Sequence, residues 1–464
     1  MILHQSDTSS RFLSHACVAV LLLLDACADG KNPSRPSQVV AEISSEIAMV
    51  VKVGWTTAEP SVGYVEYGPT PDLGSRTPTE TAPTKAHAMP LLGMTADTPC
   101  YYRVVTANGA ATIASEVGNI RTGSLPVGMP PLTQTGAGQQ GFIVVPVIGP
   151  TTSVVVLNPK GEVVWYHTDS RQLDFYRARL SVDGKSLLYN AARISGTPAQ
   201  DSELVRVALD GSSSSSIPIP YLAHDFVEHP DGTLAAIAFE DRDVAGTTVR
   251  GNKIVEVAPD GTQRTMWSTW DCFDPAVLKS DDMQQGWTFA NALDYDAAAD
   301  VYYLGMRNVS SITKISRATG ACEWVLGGSS STFAFAQGSA RFLHEHQFQV
   351  RGDHILIMDN DGAGGHQSRV TEYQLDLQNK VATQVWSYIS NPTVYTFVLG
   401  EPQRFDDGTT FINWGAAGQM EHLDASGSST WKLNTGAGYV FGFHTLADSL
   451  YSAGAPPAGL LSDG

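Results

Sequence analysis

Along nearly the whole chain, short apolar runs alternate with polar residues and stop at Gly, Asp-Gly or Pro-bearing turns. This is the period-two signature of antiparallel strands. From residue 141 onward the pattern recurs as a unit. Each unit opens with a hairpin, turning at Gly161, Gly211, Gly261, Gly320, Asn379 and Gly427. Each opening is followed by a second hairpin, over residues 177–189, 224–239, 291–304, 346–358, 401–414 and 443–451, several of them turning at Asp-Gly pairs such as Asp183-Gly184 and Asp231-Gly232. Six openings with four strands per repeat predict an all-β protein whose larger part, 141–464, is a six-bladed β-propeller. Radial repetition protects the sheet edges in such a fold.

Upstream, residues 37–123 show shorter alternating runs, V-V-K-V-G-W ending at Trp55, G-Y-V-E-Y-G around Tyr67 and C-Y-Y-R-V-V around Tyr102. They predict a small antiparallel β-sandwich. The segment resembles a fibronectin type III module, on Trp55, Tyr67 and the Tyr101-Tyr102-Arg103 strand, and that resemblance implies a spacer role. Residues 124–140, rich in Pro, are expected to be a linker. Residues 1–27 have the build of an export signal: Arg11, then an apolar run too short to span a bilayer. The run ends in Leu24-Asp25-Ala26-Cys27, which resembles a bacterial lipobox, so lipidation at Cys27 and ordinary cleavage are both open. Residues 28–36 are then a tether. The expected location is exported, periplasmic or at the cell surface, with contact to a membrane only through an anchor at Cys27.

A chain of 464 residues with 43 Gly and 25 Pro suits a fold of many turns. The formal charge of −18 argues against nucleic acid as a partner, because the overall field repels polyanions. An anionic substrate must therefore be drawn in by locally placed cations, which makes each Arg or His at a strand end informative. Beyond the signal only Cys100, Cys272 and Cys322 remain. A Cys272–Cys322 disulfide is one option and free thiols the other, while Cys100 reads as a buried small hydrophobe. No C-x-x-C spacing points to a metal, and no Gly-rich loop precedes a helix to cradle a nucleotide. No cofactor is expected.

Aligning the second hairpins on their turns places one residue per blade at an equivalent position: Tyr176, His224, Asn291, His346, Glu401 and a residue near Phe443. Five of six are polar, although buried strand positions usually carry Val, Ile or Leu. Such a ring would line one mouth of the central channel. With Arg307 at the end of a neighbouring run, the grouping suggests an anion site.

The run from His224 to Trp414 resembles the bacterial arylsulfate sulfotransferase family. The matching stretches are H-D-F-V-E-H-P-D-G-T-L, F-A-N-A-L-D-Y-D, G-M-R-N-V-S-S-I-T-K-I, G-A-C-E-W-V-L-G-G, E-H-Q-F with M-D-N-D, S-R-V-T-E-Y-Q-L-D and P-Q-R-F-D-D-G-T-T-F-I-N-W-G, in family order and spacing. The resemblance implies that His346 is the nucleophile accepting the sulfuryl group and that His224, Asn291 and Arg307 surround it. Arg369 and Arg404 follow the family pattern as substrate-binding candidates, with surface ion pairing as the other reading. His344, two residues from His346, is a substrate-side candidate. The chain departs from the pattern at Phe289, where a His is expected, and at Glu345, where a Gln is expected.

The residues themselves support this chemistry. A neutral imidazole is a competent nucleophile near neutrality. Arg307 offers a planar fork for sulfate oxygens, Asn291 an amide donor, and His224, if protonated, a proton for a departing phenolate. Asp359-Asn360-Asp361-Gly362 lacks the further spaced ligands of a calcium loop and reads as a turn. Trp165, Trp324, Trp386, Trp414 and Trp431 read as blade packing. The expected function is transfer of a sulfuryl group from a phenolic sulfate ester to a phenol through a sulfohistidine. The alternative is a non-catalytic propeller that binds a ligand or protein partner, and Phe289 favours it.

Overall fold

The computed structural model describes residues 34–451 apart from 140, 170, 172, 195–197, 281–284 and 363–366. The export signal, the Cys27 motif and most of the tether lie outside the described residues. Among the described residues every element apart from three short 3-10 turns is a strand.

Six sheets surround one axis, as the repeat predicts. Blade one comprises Asp174–Leu180, Ser186–Ala192, Glu203–Ala208 and Ser214–Pro218. Blade two comprises Leu222–Glu228, Leu234–Val244, Thr247–Val257 and Gln263–Ser268. Blade three runs through Ala290–Asp296, Val301–Met306, Ser311–Ser316 and Cys322–Gly327. Blade four is built from Phe348–Arg351, His354–Asp359, Arg369–Asp376 and Val381–Tyr388, and blade five from Glu401–Arg404, Thr410–Asn413, Gln419–Leu423 and Ser429–Thr435. Each blade thus joins the second hairpin of one sequence repeat to the opening hairpin of the next.

The sixth blade is composite. Thr445–Ala447 and Val440–Phe441 pair with Phe142–Ile148, which continues into Ser153–Leu157 and Val163–Thr168. A second closure corrects the expected linker: Leu132–Gly136 pairs antiparallel with Ser429–Thr435 as a fifth strand of blade five. The propeller therefore begins before residue 141. An uncovered outer strand exposes a row of unpaired backbone groups, and this short segment satisfies them.

Residues 37–121 fold as one curled seven-stranded sheet. Its spine is Val51–Gly68, whose alternating burial breaks at the exposed Ala58-Glu59-Pro60 and then resumes. The first half pairs with Ser37–Ile43 and Thr84–Leu91, the second with Pro99–Asn108. The two halves close over Val53, Trp55, Val65, Tyr67, Cys100 and Val104. The unit docks on the propeller through Ser44 Oγ to the Asp210 carbonyl (2.8 Å) and the Leu92 N–H to the Tyr451 hydroxyl (2.8 Å). In blade one Ala208, beside that turn, pairs with Ser186 at the end of the sheet away from Tyr176. The N-terminal unit thus covers the face opposite the expected ring.

At the ring position the strand registers slip, between Phe175 and Ala178, Leu222 and Phe226, and Ala290 and Ala292. These bulges re-aim side chains toward the axis. Just beneath them lies Arg177, 1% exposed. Its Nε donates to Asp225 (2.8 Å), and its Nη1 donates to Glu401 (2.9 Å) and to the His444 carbonyl (2.6 Å). Asp225 also accepts from Gln347 Nε2 (2.6 Å) and the Leu293 N–H (3.0 Å). One buried ion network therefore touches all six blades.

Breaking a buried ion pair leaves an uncompensated charge, which costs about 3–5 kcal/mol. Arg177→Met is expected to lower the unfolding free energy by about that amount, measured by urea denaturation with intrinsic tryptophan fluorescence. A loss under about 1 kcal/mol would show that the network is not central to stability.

Candidate active site

The aligned positions meet at the axis. Ring centroids are 5.4 Å apart for Tyr176 and His224, 6.4 Å for His224 and His346, and 6.3 Å for His346 and Phe443. His346 precedes the inner strand of blade four, held by its own N–H to the Met358 carbonyl at 3.1 Å. It is fully buried.

The hydrogen bonds around His346 settle its tautomer. Asn360 Nδ2 donates to the Thr396 and Leu399 carbonyls, at 2.8 and 2.9 Å, which fixes the orientation of its amide. Asn360 Oδ1 then faces His346 Nδ1 at 2.9 Å, and two facing acceptors would repel, so Nδ1 carries the proton. The lone pair resides on Nε2, which has no hydrogen-bond partner among the described residues. Burial, then the charge of Arg307, then His224 hold the imidazole pKa well below 6.5, so the ring is neutral at pH 7.

Arg307 begins the 3-10 turn Arg307–Val309, where its backbone N–H meets the Phe289 carbonyl at 3.3 Å and its Nη1 donates to Asn308 (2.8 Å). Its positive charge acts on His346, on His224 and on Asp361. It is the common neighbour of the cluster. His224 sits 4.9 Å from the Phe289 ring, edge to face. Burial chiefly drives its pKa down to about 4. At neutral pH His224 therefore holds no extra proton, since the neighbouring Asp225 does not outweigh the loss of water, and the condition set for it as a proton donor, a charged ring, is not met.

The other candidates take different places. Asn291, at the blade-three bulge, donates Nδ2 to the Glu345 carbonyl at 2.7 Å. It anchors the residue before His346, and its observed contact is that of a strut. The Glu345 carboxyl is fully buried, and burial raises its pKa well above the usual carboxylate value against the opposing pull of backbone hydrogen bonds at Glu345 and Met306. Arg369 is engaged by Asp359 (2.7 Å) and by the Arg341 carbonyl (3.0 Å). Arg404 pairs with Glu372 (3.3 Å) and lies over the Trp386 ring at 4.3 Å. The structure thus gathers His346, His224 and Arg307 and occupies Arg369 and Arg404 elsewhere. His344 pairs through Nδ1 with Asp361, which also accepts from the Tyr395 hydroxyl at 3.0 Å. Asn360, Asp361 and Tyr395 were not singled out as site residues from the sequence. The M-D-N-D run that holds the first two was the only available signal.

The six-bladed propeller thus carries at its axis a neutral, oriented imidazole under the influence of a guanidinium charge. The profile of the arylsulfotransferase (ASST) family matches residues 133–438. The chain belongs to that family, whose activity is aryl sulfotransfer between phenols. No curated protein matches the chain. Among solved structures it is similar to a periplasmic gluconolactonase from Pseudomonas aeruginosa, at 13% identity and TM-score 0.40, covering 84% of this chain and 100% of that one. It is also similar to an auxiliary nutrient binding protein from Bacteroides ovatus, at 10% identity and TM-score 0.36, covering 86% and 85%. The family assignment rests on the family profile alone.

Burying neutral His224 makes stability depend on pH. Between about 4 and 6.5 an unfolded chain protonates this imidazole while the folded chain does not, so the unfolded state binds more protons there. Stability is expected to fall as pH drops through that window, by on the order of 3 kcal/mol from this group. Urea midpoints at pH 7 and at about pH 4.5 test this, and His224→Leu should reduce the dependence by the share of this one group, leaving that of His346 and His229.

Proposed function

We propose that this protein moves a sulfuryl group from a phenolic sulfate ester to a phenolic acceptor through a sulfohistidine at His346, without a nucleotide sulfate donor. The observation that carries the reading is the neutral His346, with its lone pair on Nε2 and its ring within the influence of the Arg307 charge. Nε2 attacks sulfur as the aryl C–O–S linkage breaks at the S–O bond. A phenol oxygen then attacks the same sulfur and releases His346. Sulfuryl transfer spreads charge over peripheral oxygens, as phosphoryl transfer does, so fixed donors and positioning supply most of the rate. Arg307 supplies the planar donor fork. Asn360 holds the proton on Nδ1, and Asn291 holds the chain just before the nucleophile. Phe289, at the position where an imidazole was expected, presents an aromatic edge to His224 and suits an aryl group better than a second proton carrier.

Export to an oxidising compartment is part of this proposal. The Cys272–Cys322 disulfide, which ties the segment after blade two to the outer strand of blade three, supports it.

Mixing the protein with an activated nitrophenyl sulfate is expected to add one sulfuryl mass to the peptide containing His346, and added phenol should discharge it. His346→Ala should abolish both. A protein that never gains this mass, or a His346→Ala variant that turns over fully, would leave the ligand-binding reading in its place. Because His346 stays unprotonated well below pH 6.5, the sulfation rate with this donor should hold as pH is lowered past 6.5. A rate that halves near pH 6.5 would show an ordinary, solvated imidazole.

A further inference from the structure

Both imidazoles at the axis are unsuited to carry a proton to the aryl oxygen. His346 is the nucleophile, its Nδ1 proton held by Asn360, and His224 is driven to a pKa of about 4. A phenol near pKa 10 is a poor leaving group as its anion, so an acid is needed when the sulfate ester is not activated. The structure holds a third imidazole whose surroundings fit that need. His344 Nδ1 is paired with Asp361, and the side chain is 19% exposed, although Nε2 itself is buried. Asp361 takes a second hydrogen bond from Tyr395, and these bonds together with Arg307 keep it below the usual carboxylate range despite its partial burial. A carboxylate on one ring nitrogen orients an imidazole and stabilises its cation.

Three further observations tie this dyad to the surroundings of His346. Arg307 acts on Asp361 and Tyr395 as well as on His346 and His224. His344 takes a left-handed φ of 54°, unusual for a residue with a Cβ and typical of functional sites, with its N–H on Ser310 Oγ at 3.0 Å. The same Asn360 that orients His346 ties in the segments on either side, and both expose large apolar side chains. Leu343, whose carbonyl accepts the Asp361 N–H at 3.3 Å, is 40% exposed, and Phe397, between the two carbonyls that Asn360 holds, is 57% exposed.

Resting on the function proposed above, we infer that His344, oriented by Asp361, is the acid and base of the transfer, and that Leu343 and Phe397 form the apolar lip receiving the aromatic ring. In the first half-reaction the N–S bond forms, the S–O bond breaks, and the protonated His344 delivers its Nε2 proton to the departing aryl oxygen, leaving a neutral phenol. In the second, neutral His344 takes the proton of the acceptor hydroxyl as its oxygen attacks sulfur and the N–S bond breaks, which restores both imidazoles. Protons and charge balance over the cycle. The substrates such a lip favours are extended, apolar phenols and their sulfates over small polar ones.

The test follows sulfation of His346 by intact mass, using phenyl sulfate and an activated nitrophenyl sulfate on wild type, His344→Gln and Asp361→Asn. Loss of general acid catalysis typically costs on the order of 10²–10⁴ in rate. His344→Gln is expected to slow sulfation from phenyl sulfate about 100-fold or more and from the nitrophenyl ester under about tenfold, with Asp361→Asn affecting the two donors in the same order. Equal losses for both donors would assign the dyad a structural role and overturn the inference, as would no loss with either. Those outcomes leave the sulfohistidine reading standing, whereas a wild-type protein that is never sulfated overturns both. For the lip, Phe397→Ser should raise KM for a naphthyl sulfate several-fold more than for phenyl sulfate, with little change in kcat. Equal KM values for the variant and wild type would remove Phe397 from the subsite.

Discussion

The ion network around Arg177 is the constraint on which the rest of the molecule depends. Each propeller blade buries apolar faces against its neighbours, but such packing is tolerant of sliding, because hydrophobic contact has no direction. Directional bonds at the axis remove that freedom. Arg177 reaches Asp225, Glu401 and the His444 carbonyl, and Asp225 in turn holds Gln347 and the Leu293 N–H. Gln347 follows His346 and Asp225 follows His224, so the bonds that register the blades also set the height and rotation of the two imidazoles. Stability and site geometry come from the same few side chains.

Above that network the site works by withholding protons and water. In an acidic protein, a cluster of imidazoles would ordinarily gather positive charge. Here burial and the nearby guanidinium keep His346 and His224 neutral. Arg307 is the cation whose charge acts on both imidazoles. Buried amides do the positioning: Asn360 orients His346, Asn291 ties down the residue before it, and Asn190 bridges the bulges of blades one and two, accepting from Arg177 N–H and donating to the His224 carbonyl. An amide can both donate and accept without changing charge, which suits it to a site where each added charge would shift a neighbour's pKa.

Much of this was legible in the sequence because turn chemistry and period-two alternation are local. Counting hairpins predicted six blades, and aligning their turns brought Tyr176, His224, His346 and Phe443 to positions where their rings neighbour one another. What local patterns lack is an origin for the repeat. The hairpins are visible, yet which two share a sheet depends on contacts between distant segments. Leu132–Gly136 escaped notice for a different reason: it is a short edge strand, mostly exposed, whose value lies in its backbone and whose side chains show no alternation. Asn360 was hidden in a turn-like run, since the worth of a buried amide lies in the carbonyls it meets across loops. The partly buried ion pairs of Arg369 and Arg404 likewise depend on partners that spacing does not reveal.

The composite sixth blade bears on how the molecule is made. Its strands come from opposite ends of the propeller sequence, Phe142–Ile148 and Thr445–Ala447. Emerging from the ribosome, the first of these waits without its inner neighbour until almost the entire polypeptide has been synthesised. Such distant pairing is slow to form and leaves an adhesive edge open meanwhile. Phe443, Glu401 and Tyr176 reach the axis together only when the circle shuts. The ring is thus sealed by the pairing of one of its first strands with its last, so the order of synthesis makes closure the final step of assembly.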